Sequence, residues 1–582
     1  MLHTTDNKYR HFLTVYLKPQ WQRALLLGLM LFTSIGLELY SPQILRQFID
    51  AARESQPIAI LKNSAFLYIG VALVRQVVSV CARYLSEKVG WTATNALRED
   101  LTLHCLRLDM GFHNKHTPGG LIERIDGDVA NLGNFFSQFI FQILGSLILL
   151  AGVLGLLYWE DWRIGAALSV YAVVTLAGLF TMRNLAVPHW KEAREASSGL
   201  FGFLEEQLSG TEDLRSSGAT GFALNEYYKR AGQRLRTEKS AGVMSIWLRN
   251  ANTFFYTLGY LISLPVSYYL FTIDAISVGT IYLIVSYTGT LSGPLRRLTR
   301  QMEDLQKASA SIARIDELHA ITTQVHDGEG LTLVEGALSI EFRDLSFGYT
   351  AEEPVLSDIS FRIESGRVLG LLGRTGSGKT TIARLLFRLY DPQQGTLLFN
   401  GSDIRQARLS ELRSRVGMVT QSVQLFRATI RDNLTFFDPQ VSDAHILEVI
   451  DEIGLMPWYE KQPKGLDTDL QSGGSGLSAG QAQLLTFVRV FLKDPGLVIL
   501  DEATSRLDPA TENMIERAVN KLLEQRTAII IAHRLATVQR ADDILILDGG
   551  HIAEYGRRQD LVARADSRFS QLLKTGLTEV LQ

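Results

Sequence analysis

Cysteine is nearly absent from this sequence. The 582 residues hold 2, Cys81 and Cys105, too few for a disulfide framework or a Cys/His metal site. Most of the chain is therefore expected to face a reducing compartment. An excess of charge is missing too. The net charge is −3, so no basic field offers itself to nucleic acid. A cleavable signal peptide is not expected, because the N-terminal apolar run is too long and lacks a small-residue cleavage pattern. The length exceeds what one hydrophobic core supports, which points to about two to four domains.

Within the first half, charge is missing over long stretches. Residues 129–159, 164–182, 250–273 and 275–295 contain no Asp, Glu, Lys or Arg. A membrane-spanning helix takes about 20 apolar residues, and soluble helices average only about 11 to 12 residues with one polar face. Two further runs, 24–45 and 61–85, are interrupted by Glu38 and Arg75. Six spans are expected, near 24–45, 61–85, 135–158, 164–183, 250–273 and 275–295. Glu38 and Arg75 fall at similar depth, and an ion pair between the first two spans is one expectation for them.

The connections are lopsided in charge. Alternate short ones carry Asp50, Glu54, Glu160, Asp161 and Asp274, whereas one long connection holds Arg183, Lys191, Arg194, Arg215, Lys229, Arg230, Arg234, Arg236 and Lys239. The positive-inside bias places both termini and both long connections in the cytoplasm. After Leu295 a polar helical stretch leads to Leu338, Ile340 and Phe342, whose period-two spacing reads as a strand. Short apolar runs then alternate with helical patterns, the mark of an α/β domain with a mostly parallel sheet. The expected organisation is a membrane domain over 1–310, a linker over 311–335 and the α/β domain over 336–582.

The α/β domain contains "GRTGSGKT": Gly373, Arg374, Thr375, Gly376, Ser377, Gly378, Lys379 and Thr380, followed by Thr381. The strand-like "RVLGLL" precedes it, and Ile382, Leu385, Leu386 and Leu389 follow at helical spacing. Glycines let successive backbone N–H groups curl around a phosphate, the helix N-terminus adds partial positive charge, Lys379 reaches the β and γ phosphates and Thr380 can ligate Mg²⁺. Such a site needs a carboxylate at a strand end. "GLVILDE" supplies Asp501 for Mg²⁺ and Glu502 for the attacking water.

With these residues in view the sequence resembles the ATP-binding cassette exporters, specifically a half-transporter with six spans fused to one cassette, over nearly its whole length. "GLSAGQAQ" matches the family signature, usually L-S-G-G-Q. The resemblance implies that Ser478, Gly480 and Gln481 cap the nucleotide of an opposite cassette. It further implies Tyr349 of "FGYT" as the adenine-stacking ring, Gln421 of "MVTQS" as the switch glutamine and a metal neighbour, Asp508 of "SRLD" in the cross-dimer loop and His533 of "IIIAHR" as the γ-phosphate switch. Glu502, His533, Lys379 and Gln421 become the expected catalytic set. Segments near 112–128 and 208–220 resemble the cytoplasmic coupling connections.

The resemblance thus implies an α-helical membrane domain followed by a P-loop NTPase domain, and ATP-driven export or flipping of a small molecule, lipid or peptide. ATP and Mg²⁺ would be bound, in a cell inner-membrane protein paired with a second half-transporter. An ATP-gated channel on the same frame is the alternative, and it would show a damaged hydrolytic site. Some positions depart from the family. Ala479 replaces a glycine, Gln471 and Ser472 replace the usual Gly-Glu, Ala482 an arginine and Arg506 a small residue. These positions belong to surfaces offered elsewhere, whereas the grip on the chain's own ATP keeps the family pattern. A heterodimer is therefore expected slightly ahead of a homodimer, and a left-handed backbone at Ala479 would be strained.

Overall fold

The computed structural model describes residues 13–134, 140–350, 352–420, 423–471, 476–501, 509–532 and 538–575. They divide into two compact units, Met1–Leu106 with Pro118–Ile321, and Arg107–Thr117 with Thr322–Gln582.

Six long helices build the first unit: α1 Trp21–Arg53, α2 Ile58–Arg107, α3 Ile140–Glu160, α4 Trp162–Ser209, α5 Thr220–Thr272 and α6 Val278–His319. Side-chain caps start two of them. Asp161 accepts from the Arg163 amide at 2.7 Å, and Ser277 accepts from that of Thr280 at 3.1 Å. Among the described helices, α1 to α5 are long and apolar enough to cross a membrane, and α6 is not. The expected sixth span is the first half of α6. Its serines, threonines and glycines lower its hydropathy, yet Leu283, Ile284, Tyr287, Leu291 and Leu295 are at most 1 % exposed. A helix buried against other helices has no lipid-facing side to keep uniformly apolar.

Packing within this unit is uneven. Ile35, Leu149, Val153, Leu168, Tyr171, Leu270 and Leu283 form a core from α1, α3, α4, α5 and α6. The apolar window of α2, by contrast, is 0 % buried by this chain. No ion pair joins Glu38 and Arg75 among the described residues, because α1 packs chiefly on α3 and α6 and not on α2. The polar ties of α1 lie elsewhere. Arg46 pairs with Glu160, Asp50 accepts from Ser277 Oγ at 2.7 Å and from the Gly279 amide at 2.8 Å, and the Tyr287 hydroxyl donates to the Leu39 carbonyl at 2.7 Å.

The first nine residues of the expected linker, 311–319, are helical, since α6 continues to His319, and 320–335 are not. Ala308, Ser311, Ile312, Ile315 and Leu318 are buried at three- and four-residue spacing, and that apolar stripe carries the helix onward. Arg314 Nε also donates to Asp128 Oδ2 at 2.8 Å, and Ser311 Oγ donates to Asp128 Oδ1 at 2.8 Å. The connections expected to couple the units contain short helices, Met110–Lys115, Pro118–Ile122 and Thr211–Ser216.

The second unit holds two sheets. β1 Ile340–Thr350, β2 Glu353–Ile363, β4 Gln394–Phe399 and β5 Ser402–Asp403 form an antiparallel one, ordered β2-β1-β4-β5. β3 Val368–Gly373, β6 Val416–Val419, β7 Leu497–Asp501, β8 Thr527–Ile531, β9 Asp543–Asp548 and β10 His551–Arg557 form the other, ordered β10-β9-β3-β8-β7-β6. All its pairings are parallel except that of β10 with β9. Helices α7 Lys379–Leu386, α8 Ala479–Lys493 and α9 Pro509–Leu523 belong to this unit. β3 and β8 are buried along their whole length, as are Leu497 to Leu500 of β7, which explains why these strands read as continuous apolar runs. Each fully buried Leu or Ile there contributes about 1.5–3 kcal/mol.

Candidate nucleotide-binding site

Parallel strands all point one way, so whatever follows each one collects along a single sheet edge, where α/β folds bind ligands. From β3 through β8 and β7 to β6, the chain leaves that edge at Gly373, Ile531, Asp501 and Val419. The expected phosphate loop, His533, Asp501 with Glu502, and Gln421 follow these four ends. Gln421, Glu502, Asp508 and His533 lie outside the described residues.

The loop itself is built by its glycines. Gly373, Gly376 and Gly378 have φ of +150°, +82° and +104°, backbone that side chains rarely adopt. A methyl on Gly373 would lie 2.4 Å from the Leu547 carbonyl oxygen, and one on Gly378 2.5 Å from Leu356 Cδ2. Gly378 caps α7, whose first residue is Lys379. Lys379 is 7 % exposed, and its Nζ donates to the carbonyls of Gly373 at 2.6 Å and Arg374 at 2.9 Å. Ser377 is 3 % exposed, and its Oγ is buried with no hydrogen-bond partner. Arg374, Thr375, Gly376 and Thr380 are exposed around it. A ring of N–H groups, a buried ammonium and an unsatisfied hydroxyl suit phosphate oxygens.

Tyr349 is the next-to-last residue of β1 and is 38 % exposed. Its hydroxyl shares a 3.1 Å hydrogen bond with Thr381 Oγ1 and accepts from Arg384 Nη1 at 2.8 Å. Phe347 and Tyr390 meet its ring edge-on, at centroid distances of 5.2 and 5.3 Å. Thr381, expected at the phosphates, is buried, and its Oγ1 meets the Tyr349 hydroxyl. Arg384 and Tyr390 were not expected here. The three-residue spacing of Thr381 and Arg384 on one helix was the available signal for the first. Only tertiary packing brings in the second.

Ser478 and Gln481 are engaged in starting α8. Ser478 Oγ accepts from the Gln481 amide at 3.1 Å while Gln481 Oε1 accepts from the Ser478 amide at 3.0 Å, a capping box. Ser478 and Ala479 are exposed, and Gly480 is buried. Ala479 is the first helical residue and is not among those with positive φ. The expected backbone strain is therefore absent, and the substitution adds only an exposed methyl. Ala482 packs on the hydrophobic core, so it is not offered wholly to a partner.

The short helix Met110–Lys115 belongs to this unit. Asp109 caps it, accepting from the Phe112 amide at 3.1 Å, and also accepts from the Gln324 amide at 2.6 Å. Burial opposes the charge on Asp109, but hydrogen bonds from Gln324, Phe112, Thr323 and Gly111 outweigh it and hold the carboxyl below its usual range. Asn114 Nδ2 donates to the Tyr390 hydroxyl at 2.7 Å, which places this helix two contacts from Tyr349.

Two family models match the chain, the ABC transporter transmembrane region over residues 24–295 and the ABC transporter domain over 356–505. A probable multidrug resistance ABC transporter ATP-binding/permease protein of Bacillus subtilis is 30 % identical over 80 % of this chain and 70 % of its own length. The chain belongs to the ABC transporters. An ATP-dependent lipid A-core flippase of Vibrio cholerae is 28 % identical over 98 % of both chains. The fold matches that of a bacterial Atm1-family ABC exporter solved with ATP bound, with a TM-score of 0.81 at 24 % identity, covering 95 % of this chain and 99 % of the other. As an ABC transporter with membrane and ATP-binding domains on one chain, it is a multi-pass inner-membrane half-transporter that couples ATP hydrolysis to export.

Proposed function

We propose that this chain binds ATP at residues 373–381 and exports its cargo as one half of a dimer whose second half supplies the signature over that nucleotide. The carrying observation is the buried, unpartnered Ser377 hydroxyl inside a loop of positive-φ glycines, beside the Lys379 ammonium. Lys379, now on its own loop carbonyls, would exchange them for phosphate oxygens, and Tyr349 would stack on the base.

The half-buried Asp501 carboxylate and the exposed Thr380 hydroxyl are hard oxygen donors of the kind Mg²⁺ takes, together with nucleotide phosphates. Mg²⁺ would neutralise charge on the phosphates when bound. Glu502 would orient water, Gln421 and His533 would sense the γ phosphate, and Asp508 would face the second cassette. The exposed Ser478 and Ala479 and the uncovered apolar window of α2 support a second chain. Binding energy moves a membrane bundle only where it differs between states, and a site shared by two chains exists in the closed state alone.

The basic connections favour cassettes in the cytoplasm. Relatives named as lipid A-core flippases favour an amphiphilic cargo. The departures at Gln471, Ser472, Ala479 and Arg506 favour a different chain as partner, against the usual predominance of homo-oligomers.

The test is ATP hydrolysis by the chain purified alone in lipid. Glu502→Gln should abolish turnover and keep nucleotide binding, whereas Lys379→Ala should lose both. Parental turnover in Glu502→Gln would overturn the role of Glu502. A well-behaved homodimer with substrate-stimulated turnover, unchanged by Ala479→Gly, would overturn the heterodimer.

A further inference from the structure

Arg384 lies on α7, one turn beyond Thr381, and is partly buried. An arginine so placed ordinarily meets a carboxylate or carries its charge out to water. Arg388, just past the end of the same helix, does the first: it is 3 % exposed and donates to both Asp391 carboxylate oxygens. Arg384 does neither in full. It makes no ion pair with any described residue, and its Nη1 donates to the neutral Tyr349 hydroxyl at 2.8 Å, with the guanidinium carbon 5.6 Å from the centre of that ring.

The direction of the hydrogen bonds follows from the donors. A guanidinium cannot accept, so the phenol oxygen accepts from Arg384 and its own proton is free for Thr381 Oγ1 at 3.1 Å. Both anchors come from α7, whose first residue is Lys379. The hydroxyl end of the ring is thereby fastened to the helix that opens at the phosphate loop, while Phe347 and Tyr390 meet the ring itself at 5.2 and 5.3 Å. Without these anchors an aromatic next to the end of a strand and 38 % exposed would turn more freely. The two anchors are unequal. Thr381 offers a neutral hydroxyl at the longer distance, whereas a hydrogen bond from a charged donor is about twice as strong. Arg384 therefore has the larger share in fixing the ring. A ring already fixed binds a flat ligand without first losing rotamer freedom.

We propose that Arg384 is a positioning residue for the nucleobase: it holds Tyr349 in the orientation that stacks on the base of ATP, and so sets how much the base adds to the grip of the phosphate loop. This rests on the reading of Tyr349 as the stacking ring and names the side chain that makes it effective. Arg384 acts through the Tyr349 hydroxyl and not on the phosphates, which fall to Lys379 and the glycine-built loop. Its effect is therefore selective: a ligand with a base feels it, and a bare triphosphate does not.

The test uses the full chain in lipid nanodiscs with Mg²⁺ and calorimetric titration of two ligands, the ATP analogue AMP-PNP and inorganic tripolyphosphate, which has no base. Arg384→Ala should weaken AMP-PNP about fivefold, the cost of ordering one side chain, and leave tripolyphosphate unchanged. Tyr349→Phe, which keeps the ring and removes the hydroxyl, should match it, and the double variant should be no weaker than either single one, since both remove the same bond. Arg384→Lys should keep part of the affinity. Should Arg384→Ala fail to fold, Tyr349→Phe must show the base-selective loss. Equal weakening of both ligands would overturn the proposal and assign Arg384 to the phosphates. Additive losses in the double variant would overturn the link through the hydroxyl. Parental AMP-PNP affinity in Arg384→Ala, beside a loss in Tyr349→Ala, would overturn the proposal and leave the stacking reading standing. Parental affinity in Tyr349→Ala would overturn the stacking reading, and the proposal with it.

Discussion

The two units of this chain stabilise themselves in opposite ways. In the cassette unit the parallel strands are buried on both faces, and side chains fill the space around them. In the membrane unit, long helices meet along narrow seams, and α2 presents its whole apolar window outward. Water drives the first arrangement through the hydrophobic effect. Lipid supplies no such force between helices, so the second relies on close packing and a few polar ties. A single methyl should therefore matter far more in the phosphate loop than on the uncovered window of α2.

Two glycines test that contrast directly. Gly373→Ala pushes a methyl against the Leu547 backbone, which cannot swing away, whereas Gly70 of α2 has nothing within 4 Å of the same methyl. The expected cost at Gly373 is about 3 kcal/mol, or about hundredfold weaker ATP binding. Gly70→Ala should leave binding and folding unchanged. Titration with a fluorescent nucleotide reads both, and equal effects would erase the contrast.

Polar ties should matter most where packing is thin. Arg314→Ala leaves the Asp128 carboxylate, 4 % exposed, with Ser311 as its remaining partner. Because Arg314 is itself about half exposed, the cost should be about 2 kcal/mol, below that of a fully buried pair. Thermal unfolding in detergent should show a lower midpoint, and an unchanged one would mean that this tie does not hold the helices.

The smallest effect is expected at Asp109, where the cassette grips the short helix Met110–Lys115. Its folded pKa lies below the unfolded value near 3.8, so its contribution is complete above that value and is lost as pH falls through the folded pKa. Asp109→Asn should cost about 1 kcal/mol at neutral pH. The difference from the parent should shrink only below about pH 4. A difference that instead varied between pH 5 and 8 would assign the effect to another group.

The glycine-built loop of the cassette was legible because its signals are local. "GRTGSGKT" needs three positive-φ glycines, and only a loop between a strand and a helix can use them. Tyr349 was legible as an aromatic at a strand end, but the Thr381, Arg384 and Tyr390 side chains that hold it come from distant parts of the chain. Ala479 misled for a related reason. The S-x-x-Q spacing of Ser478 and Gln481 already marks a capping box, which makes Ala479 a first helical residue with no need of glycine.

The sequence by itself determined which segments are long and apolar helices and where the glycine-built loop between β3 and α7 lies, because hydropathy over about 20 residues and backbone freedom at glycine are properties of short segments. Only the tertiary structure decided which charges find partners. Glu38 and Arg75 have suitable spacing but lie on helices that do not pack together. Asp128 and Arg314 meet across 186 positions, and Arg183, a loop base by count, lies inside a helix with no side-chain partner among the described residues. Electrostatic energy depends on distance and burial in space, and neither is written along the chain.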